Sequence, residues 1–285
     1  MIYVVLSVCC SIVVAVLIKI AKSRALNVQQ MVLWNYPCTV LLTYFLLKPD
    51  LSKVDEVVLP FQFYIPLIIL LPSLFIFIAL SIKHGGIVKT DVAQRMSLFI
   101  PLVASFLLFN EKLNTATAVG ITVGLVAVIC SISWGRSSKH DSSTGFLYPL
   151  IVFLGMGIID ILFKQVAQFQ GVSYTTSMFI VFVGAMLFAM VLFLVQVFVF
   201  QQRFNRSIII WGSVLGIFNF ANIYFYMKAH RALPDNPSIV FTTMNIGVIV
   251  LGTLIGVLLF KEKLTKINLI GLILAIISIF LITYL

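Results

Sequence analysis

Acidic residues are scarce in this chain: nine Asp and Glu among 285 residues, against 19 Lys and Arg, with charged residues of both signs making up only 10%. That scarcity excludes a soluble domain of this length, which needs a far larger polar surface. Histidine is scarcer still. His84, His140 and His230 stand apart near predicted span ends, where solvated or interfacial positions are expected, so their spacing offers no metal-ligand set. No metal and no other cofactor is expected. The four cysteines, Cys9, Cys10, Cys38 and Cys130, all lie in apolar runs without metal-ligand spacing, which points to buried thiols rather than a disulfide framework. No Gly-rich Lys-Ser/Thr phosphate loop occurs, which argues against ATP use. The net charge of +10 sits on basic residues scattered singly between apolar runs. Without a basic face interleaved with aromatics, nucleic acid is not an expected partner.

What the chain has instead is apolar length. Hydrophobic residues make up 61% of it, and the mean hydropathy is +1.15. Apolar stretches of about 20 residues, enough to cross a roughly 30 Å hydrocarbon core, recur from end to end. Ten spans are predicted, at 2–21, 29–47, 60–82, 87–109, 114–133, 146–169, 173–200, 207–228, 237–260 and 264–285. The first is expected to be a retained helix rather than a signal peptide. The connections are short, and the most polar, "WGRSSKHDSSTG", occupies 134–145. Membrane lipid is thus an expected partner.

One charged word is written twice. "FNEKL" at 109–113 returns as "FKEKL" at 260–264, an offset of 151 (109 to 260), and each is followed by a glycine, Gly120 and Gly271. The copies close predicted spans four and nine, so each half is a five-span unit. An odd number of spans makes the second unit enter the membrane from the opposite side. The expected fold is therefore an all-α polytopic membrane protein, ten transmembrane helices as two inverted five-helix repeats. Residues 1–133 form the first repeat, 134–145 a polar linker and 146–285 the second. Glu111, Lys112, Glu262 and Lys263 would occupy equivalent turns, with each glutamate near the positive start of the next helix. Gly120 and Gly271, with "GITVG" at 120–124 and "GTLIG" at 252–256, would let helices approach closely.

The doubled F-x-E-K-L with its glycine, the five-plus-five layout and Lys19 near the end of span one resemble the drug/metabolite transporter superfamily, in particular its EamA-like ten-helix branch. The resemblance implies spans one, three, four, six, eight and nine around a central cavity, with spans five and ten supporting the repeat. It further implies a multi-pass protein of the bacterial cytoplasmic membrane that is not an enzyme. On orientation two arguments oppose each other. Connections from odd to even spans, with Lys89 and Lys266 at the adjoining span starts, hold eleven Lys and Arg; those from even to odd, with Lys228 at a span end, hold five; Lys19, Arg95 and Lys164 are the remaining three. Positive-inside therefore places both termini outside, whereas many members of the resembled family keep both inside.

A charged side chain at a helix centre costs about 2.5–3.5 kcal/mol on the insertion scale, so each asks for a reason. In "GIIDILFKQ", Asp160 and Lys164 stand four apart on one helix face; in "TDVAQRMS", Asp91 and Arg95 do the same. At about 1.5 Å per residue Asp160 lies roughly 21 Å into its span, near the midplane, and Asp91 roughly 6 Å into its own, level with Lys19. Asp91 and Lys19 could pair, or Lys19 could snorkel. Uncharged candidates are Asn35 in span two, Asn219, Asn222 and Tyr226 at helical spacing in span eight, and Thr242 and Asn245 in span nine. Each could line a cavity or join helices. The expected function is secondary active transport, most simply export, of a small organic metabolite or drug-like compound by alternating access. A proton is the candidate coupling ion and Asp160 its candidate carrier. A lipid flippase, a non-transporting assembly factor and a membrane-embedded enzyme are the alternatives; cargo identity and oligomeric state are open.

Overall fold

The computed structural model describes residues 1–24, 26–52, 54, 57–85, 87–112, 115–131, 144–202, 204–260 and 265–284. Among them lie helices α1 (Ile2–Ser23), α2 (Val28–Leu47), α3 (Phe61–Gly85), α4 (Ile87–Met96), α5 (Phe99–Leu107), α6 (Thr115–Ser131), α7 (Thr144–Gln168), α8 (Tyr174–Leu194), α9 (Ser207–Ala232), α10 (Pro237–Phe260) and α11 (Lys266–Tyr284), with a π-helical turn at Val195–Val199 and no strand. Six of these stretches are long and apolar enough to cross a membrane: α1, α3, α7, α8 with its π turn, α9 and α10. Shorter apolar segments lie in α6 and α11. The exterior is unlike that of a water-soluble fold, being rich in large apolar side chains. Leu107, Phe198 and Leu258 are 74%, 74% and 73% exposed, while Lys164, His230 and Thr176 are buried. An apolar exterior around buried polar groups is what a lipid solvent favours.

The helices occupy the predicted spans to within a few residues, except that span four is broken. The break at Ser97–Leu98 separates α4 from α5, and its cause is Pro101. A proline lacks the N–H that would reach the carbonyl four residues back, and its ring crowds that carbonyl, here that of Ser97. The Ser97 carbonyl instead accepts from the Ile100 N–H at 3.1 Å. Pro37, Pro66 and Pro72 do not end a helix: α2 and α3 run through them.

The chain folds as two compact units. One comprises Met1–Cys9, Phe77–Ile161 and Ala232–Leu285, the other Cys10–Ile76 and Leu162–Arg231. In the first unit α6 packs along α11. Ser278 donates to the Gly120 carbonyl at 2.7 Å and Asn268 to the Cys130 carbonyl at 3.2 Å. A Cβ on Gly124 would sit 2.6 Å from the Ser278 hydroxyl and 2.5 Å from Ile246 Cδ1, so the absence of a side chain sets the approach. Ala127, Ile246 and Ala275 form the core there.

The first copy of the repeated word also lies in this unit. After α5 the chain turns at Asn110, whose φ of 51° is left-handed, a conformation asparagine tolerates at helix ends. That turn sends Glu111 not to the start of α6, as expected, but to the first turn of α10. Its two carboxylate oxygens accept from the Ser238 N–H at 3.0 Å and the Ser238 hydroxyl at 2.6 Å. A carboxylate here satisfies one of the amides a helix start leaves open and meets the positive end of the helix dipole. Lys112 is exposed and Gly271 buried; Glu262 and Lys263, the second copy, lie outside the described residues.

In the second unit, α1, α2 and α9 meet around Ala21, Met31, Val32, Ile208 and Leu215. Gly212 and Gly216 of α9 face the α2 backbone: a Cβ would lie 2.9 Å from the Met31 carbonyl oxygen at one and 2.7 Å from that of Asn35 at the other. Helix α2 runs antiparallel to α8, with Trp34 beside Phe193 and Tyr44 beside Phe179, each pair 5.8 Å between ring centroids.

Candidate functional site

The candidate polar residues divide between the two units. In the second, α7 and α9 bring together a cluster of chemically capable side chains. Lys164 is nine-tenths buried in its apolar helix, and its charge acts on the fully buried His230. Tyr226 lies one turn before His230 on α9, its ring edge-on to the imidazole at 4.7 Å and to Phe163 at 6.1 Å. The Gln168 amide donates to the His230 carbonyl at 2.7 Å, fastening the last turn of α7 to that of α9.

His230 is the residue that sequence reasoning misplaced. It was expected at the interface because span eight was ended at Lys228. The helix in fact continues to Ala232, because both of its terminal cations find aromatic faces. Lys228 lies over Tyr224 and Arg231 over Tyr174, each 4.8 Å from the ring centroid, an arrangement that compensates a partly desolvated cation. The available signal was the Tyr226–His230 spacing of one turn.

Along the same helix, Asn219 donates from Nδ2 to Asn35 Oδ1 of α2 at 3.0 Å, and Asn35 donates to the Val32 carbonyl. These two asparagines thus join α2 to α9 beside the Gly216 contact. Asn222 is half-buried, and Lys19, near the end of α1, is exposed.

In the first unit Asp91 is taken by Arg95 of its own helix, whose Nε lies 3.0 and 2.9 Å from the two carboxylate oxygens. Asp91 thus meets the partner that its four-residue spacing on the helix offers, one turn away. Arg95 retains a buried Nη1 without a hydrogen-bond partner. The hydroxyls of Thr242 and of its neighbour Thr243, which sequence reasoning did not single out, are likewise buried and unpartnered. Asn245 donates to the Phe241 carbonyl at 3.0 Å. Asp160 is half-buried on α7, one turn before Lys164. Among the described residues no three His, Cys, Asp or Glu side chains converge as a metal site would require. The chemistry on offer is hydrogen bonding and charge pairing inside an apolar helical frame.

Residues 143–284 match the profile of the EamA-like transporter family. A protein of Haemophilus influenzae (strain ATCC 51907 / DSM 11121 / KW20 / Rd), itself uncharacterised, is 39% identical over 284 residues, covering 97% of this chain and 95% of its own. The chain belongs to the EamA-like transporter family. This EamA-like chain also shares its fold with a protein solved by crystallography, at a TM-score of 0.70 and 14% identity over 98% of each. The EamA-like assignment agrees with the resemblance read from the repeated word and with the apolar helices, and makes the chain a multi-pass membrane protein of a transporter family.

Proposed function

We propose that this chain is a secondary active transporter of a small organic metabolite or drug-like compound, working by alternating access in a bacterial cytoplasmic membrane and directed outward. The observation that carries the reading is the acid and base one turn apart on α7, Asp160 and Lys164. An apolar helix of 25 residues keeps such a pair only if the charge has work to do there. In this reading Asp160 exchanges a proton for cargo while Lys164 offsets its negative charge when it is empty. Thr242 and Asn245 in the first unit, and Asn222 and Tyr226 in the second, are the candidate hydrogen-bonding groups for cargo, each within its own unit; Asn35 and Asn219 hold α2 against α9.

The reading includes an inverted repeat of residues 1–133 and 146–285 joined by 134–145. Support comes from the α6–α11 contact. Shifting by the offset of 151 turns Gly124 into Ala275 and Ala127 into Ser278. Gly124 faces Ser278, and Ala127 packs in one cluster with Ala275. A two-fold relation between repeats generates this exchange of partners, which a chance pairing of two helices does not require.

The test is gradient-driven uptake into vesicles carrying wild type or Asp160→Asn. The variant is expected to reach the membrane at wild-type level and to lose uptake driven by a proton gradient. Undiminished coupled transport in Asp160→Asn would remove Asp160 from the mechanism.

A further inference from the structure

One end of the second unit, made by the last turn of α1, the start of α2 and the first turns of α9, carries positive charge on segments that hold no acid. From Cys10 to Lys48 and from Leu162 to Arg231 the chain has neither Asp nor Glu. The acids of this unit, Asp50, Asp55 and Glu56, all come after α2 in the chain, and the 20 residues of α2 hold its two ends about 30 Å apart. Lys22 in the last turn of α1, Arg24 just after it and Arg206 just ahead of α9 belong to the acid-free end. All three are exposed, and among the described residues none of them forms an ion pair. Ala25 and Arg203, in the neighbouring connections, lie outside the described residues.

Packing brings these cations to one place. Ala21 of α1 and Ile208 of α9 are buried in a single cluster, which sets the last turn of α1 beside the first turn of α9. Three residues past Ala21, the Arg24 guanidinium lies 5.2 Å over the ring of Trp211 on the second turn of α9. Indole is the aromatic face that holds a cation best. A guanidinium held by its face still presents its N–H edge, the geometry that takes phosphate oxygens in parallel hydrogen bonds.

Beside the cations runs an apolar stripe. Ile210 and Ile217 follow Arg206 at helical spacing, on one face of α9, and are 69% and 46% exposed. In a chain that crosses a membrane, acyl chains meet such a stripe. Tryptophan gathers where acyl chains give way to headgroups, so Trp211 marks the headgroup level at this end. The surface is thus basic at its head and apolar along its length, the complement of an acidic amphiphile.

We propose that this end of the second unit binds an anionic phospholipid, its phosphate on the N–H edges of Arg24 and Arg206, with Lys22 adding charge, and its acyl chains along Ile210 and Ile217. A zwitterionic phospholipid would bring a cation that no acid in these segments receives. A soluble anion would use the charges and leave the stripe unused. The site is separate from Asp160 and Lys164, and binding at it is measured with no transport at all.

The experiment is thermal unfolding of the detergent-purified full chain, titrated with dioctanoyl phosphatidylglycerol, dioctanoyl phosphatidylcholine or inorganic phosphate at matched ionic strength. Phosphatidylglycerol is expected to raise Tm saturably, with a half-maximal concentration roughly tenfold or more below that of phosphatidylcholine. Arg24→Gln and Arg206→Gln should each raise that concentration about fivefold, the share of one cation at a membrane surface. Trp211→Leu removes no charge and should still weaken binding, because it takes away the ring that seats Arg24. Lys48→Gln, at the other end of α2, should bind as wild type does. The Tm of each variant without lipid checks that its fold is intact. Phosphatidylcholine binding as tightly, or an equal shift from inorganic phosphate, would overturn the proposal. So would unchanged binding in both arginine variants, or a loss in Lys48→Gln as large as theirs, which would reduce the effect to unspecific charge. None of these outcomes touches the transporter reading.

Discussion

Glu111 gives the sharpest account of why the repeated word is there, and replacing it with alanine tests that account. Two hydrogen bonds disappear together, both to Ser238, which is fully buried. Its N–H belongs to the first turn of α10, where no carbonyl of the helix itself is available. Hydrogen bonds to a charged group contribute about 1.5–3 kcal/mol, and loss of a helix cap typically costs about 1. Because the two bonds share one carboxylate, the combined cost is expected at about 2–3 kcal/mol rather than at the sum of separate terms. For 285 residues a soluble protein would unfold with an entropy near 0.6 kcal/mol/K, which converts that cost to about 4 °C in Tm. A membrane chain keeps much of its helix on unfolding, so its unfolding entropy is smaller and 4 °C is a lower bound. The assay is thermal unfolding in detergent, with Glu111→Gln and Ser238→Ala alongside. Glu111→Gln keeps one acceptor and should lose less, and Ser238→Ala should add little once Glu111 is gone. An unchanged Tm in Glu111→Ala would refute the cap. If cargo transport vanished at the same time, Glu111 would belong to the working site.

Three further expectations concern packing and orientation. Gly216→Ala should be markedly more destabilising than Gly184→Ala, because its Cβ meets the Asn35 main-chain oxygen at 2.7 Å whereas that of Gly184 meets the movable end of Ile68; equal Tm losses would contradict the close α2–α9 contact. Asn219→Leu removes one interhelical hydrogen bond, about 0.6 kcal/mol on average in membranes, so uptake should survive with a small fall in Tm, and lost uptake at unchanged Tm would place Asn219 on cargo. A single cysteine introduced into 134–145 is expected to react with an impermeant thiol reagent only after the cell is opened if the excess of basic residues sets the orientation and keeps that connection in the cytoplasm; labelling of intact cells would favour the family's common orientation.

Much of the helical layout was legible because the chain punctuates its spans clearly. "PDNPS" announces a start, and α10 begins at Pro237. Prolines were less legible. Of Pro37, Pro66, Pro72 and Pro101, only Pro101 coincides with a break, because the cost depends on whether neighbours absorb the kink. The destination of Glu111 could not be read, since its partner is 127 residues away in sequence and nothing at 238 marks it as the receiver. His230 was hidden for the opposite reason. Flanking charges normally end a span, and the ring that carries Arg231 comes from another helix. Helical spacing groups Asn219, Asn222 and Tyr226, but periodicity names a face without saying what fills it. At Asn219 the neighbour is Asn35 of α2, and at Tyr226 it is Phe163 of α7.

The claim that this chain binds and carries a small organic solute is tested most directly by ligand-induced thermal stabilisation of the purified protein. A compound present at about 100 times its dissociation constant should add roughly 2.7 kcal/mol to the native state if it binds there alone. The account predicts a saturable shift from at least one class among amino acids, sugars, nucleosides, organic cations and organic anions, diminished in Asp160→Asn or Lys164→Gln. A flat response across all five classes, with stabilisation by lipid alone, would contradict it.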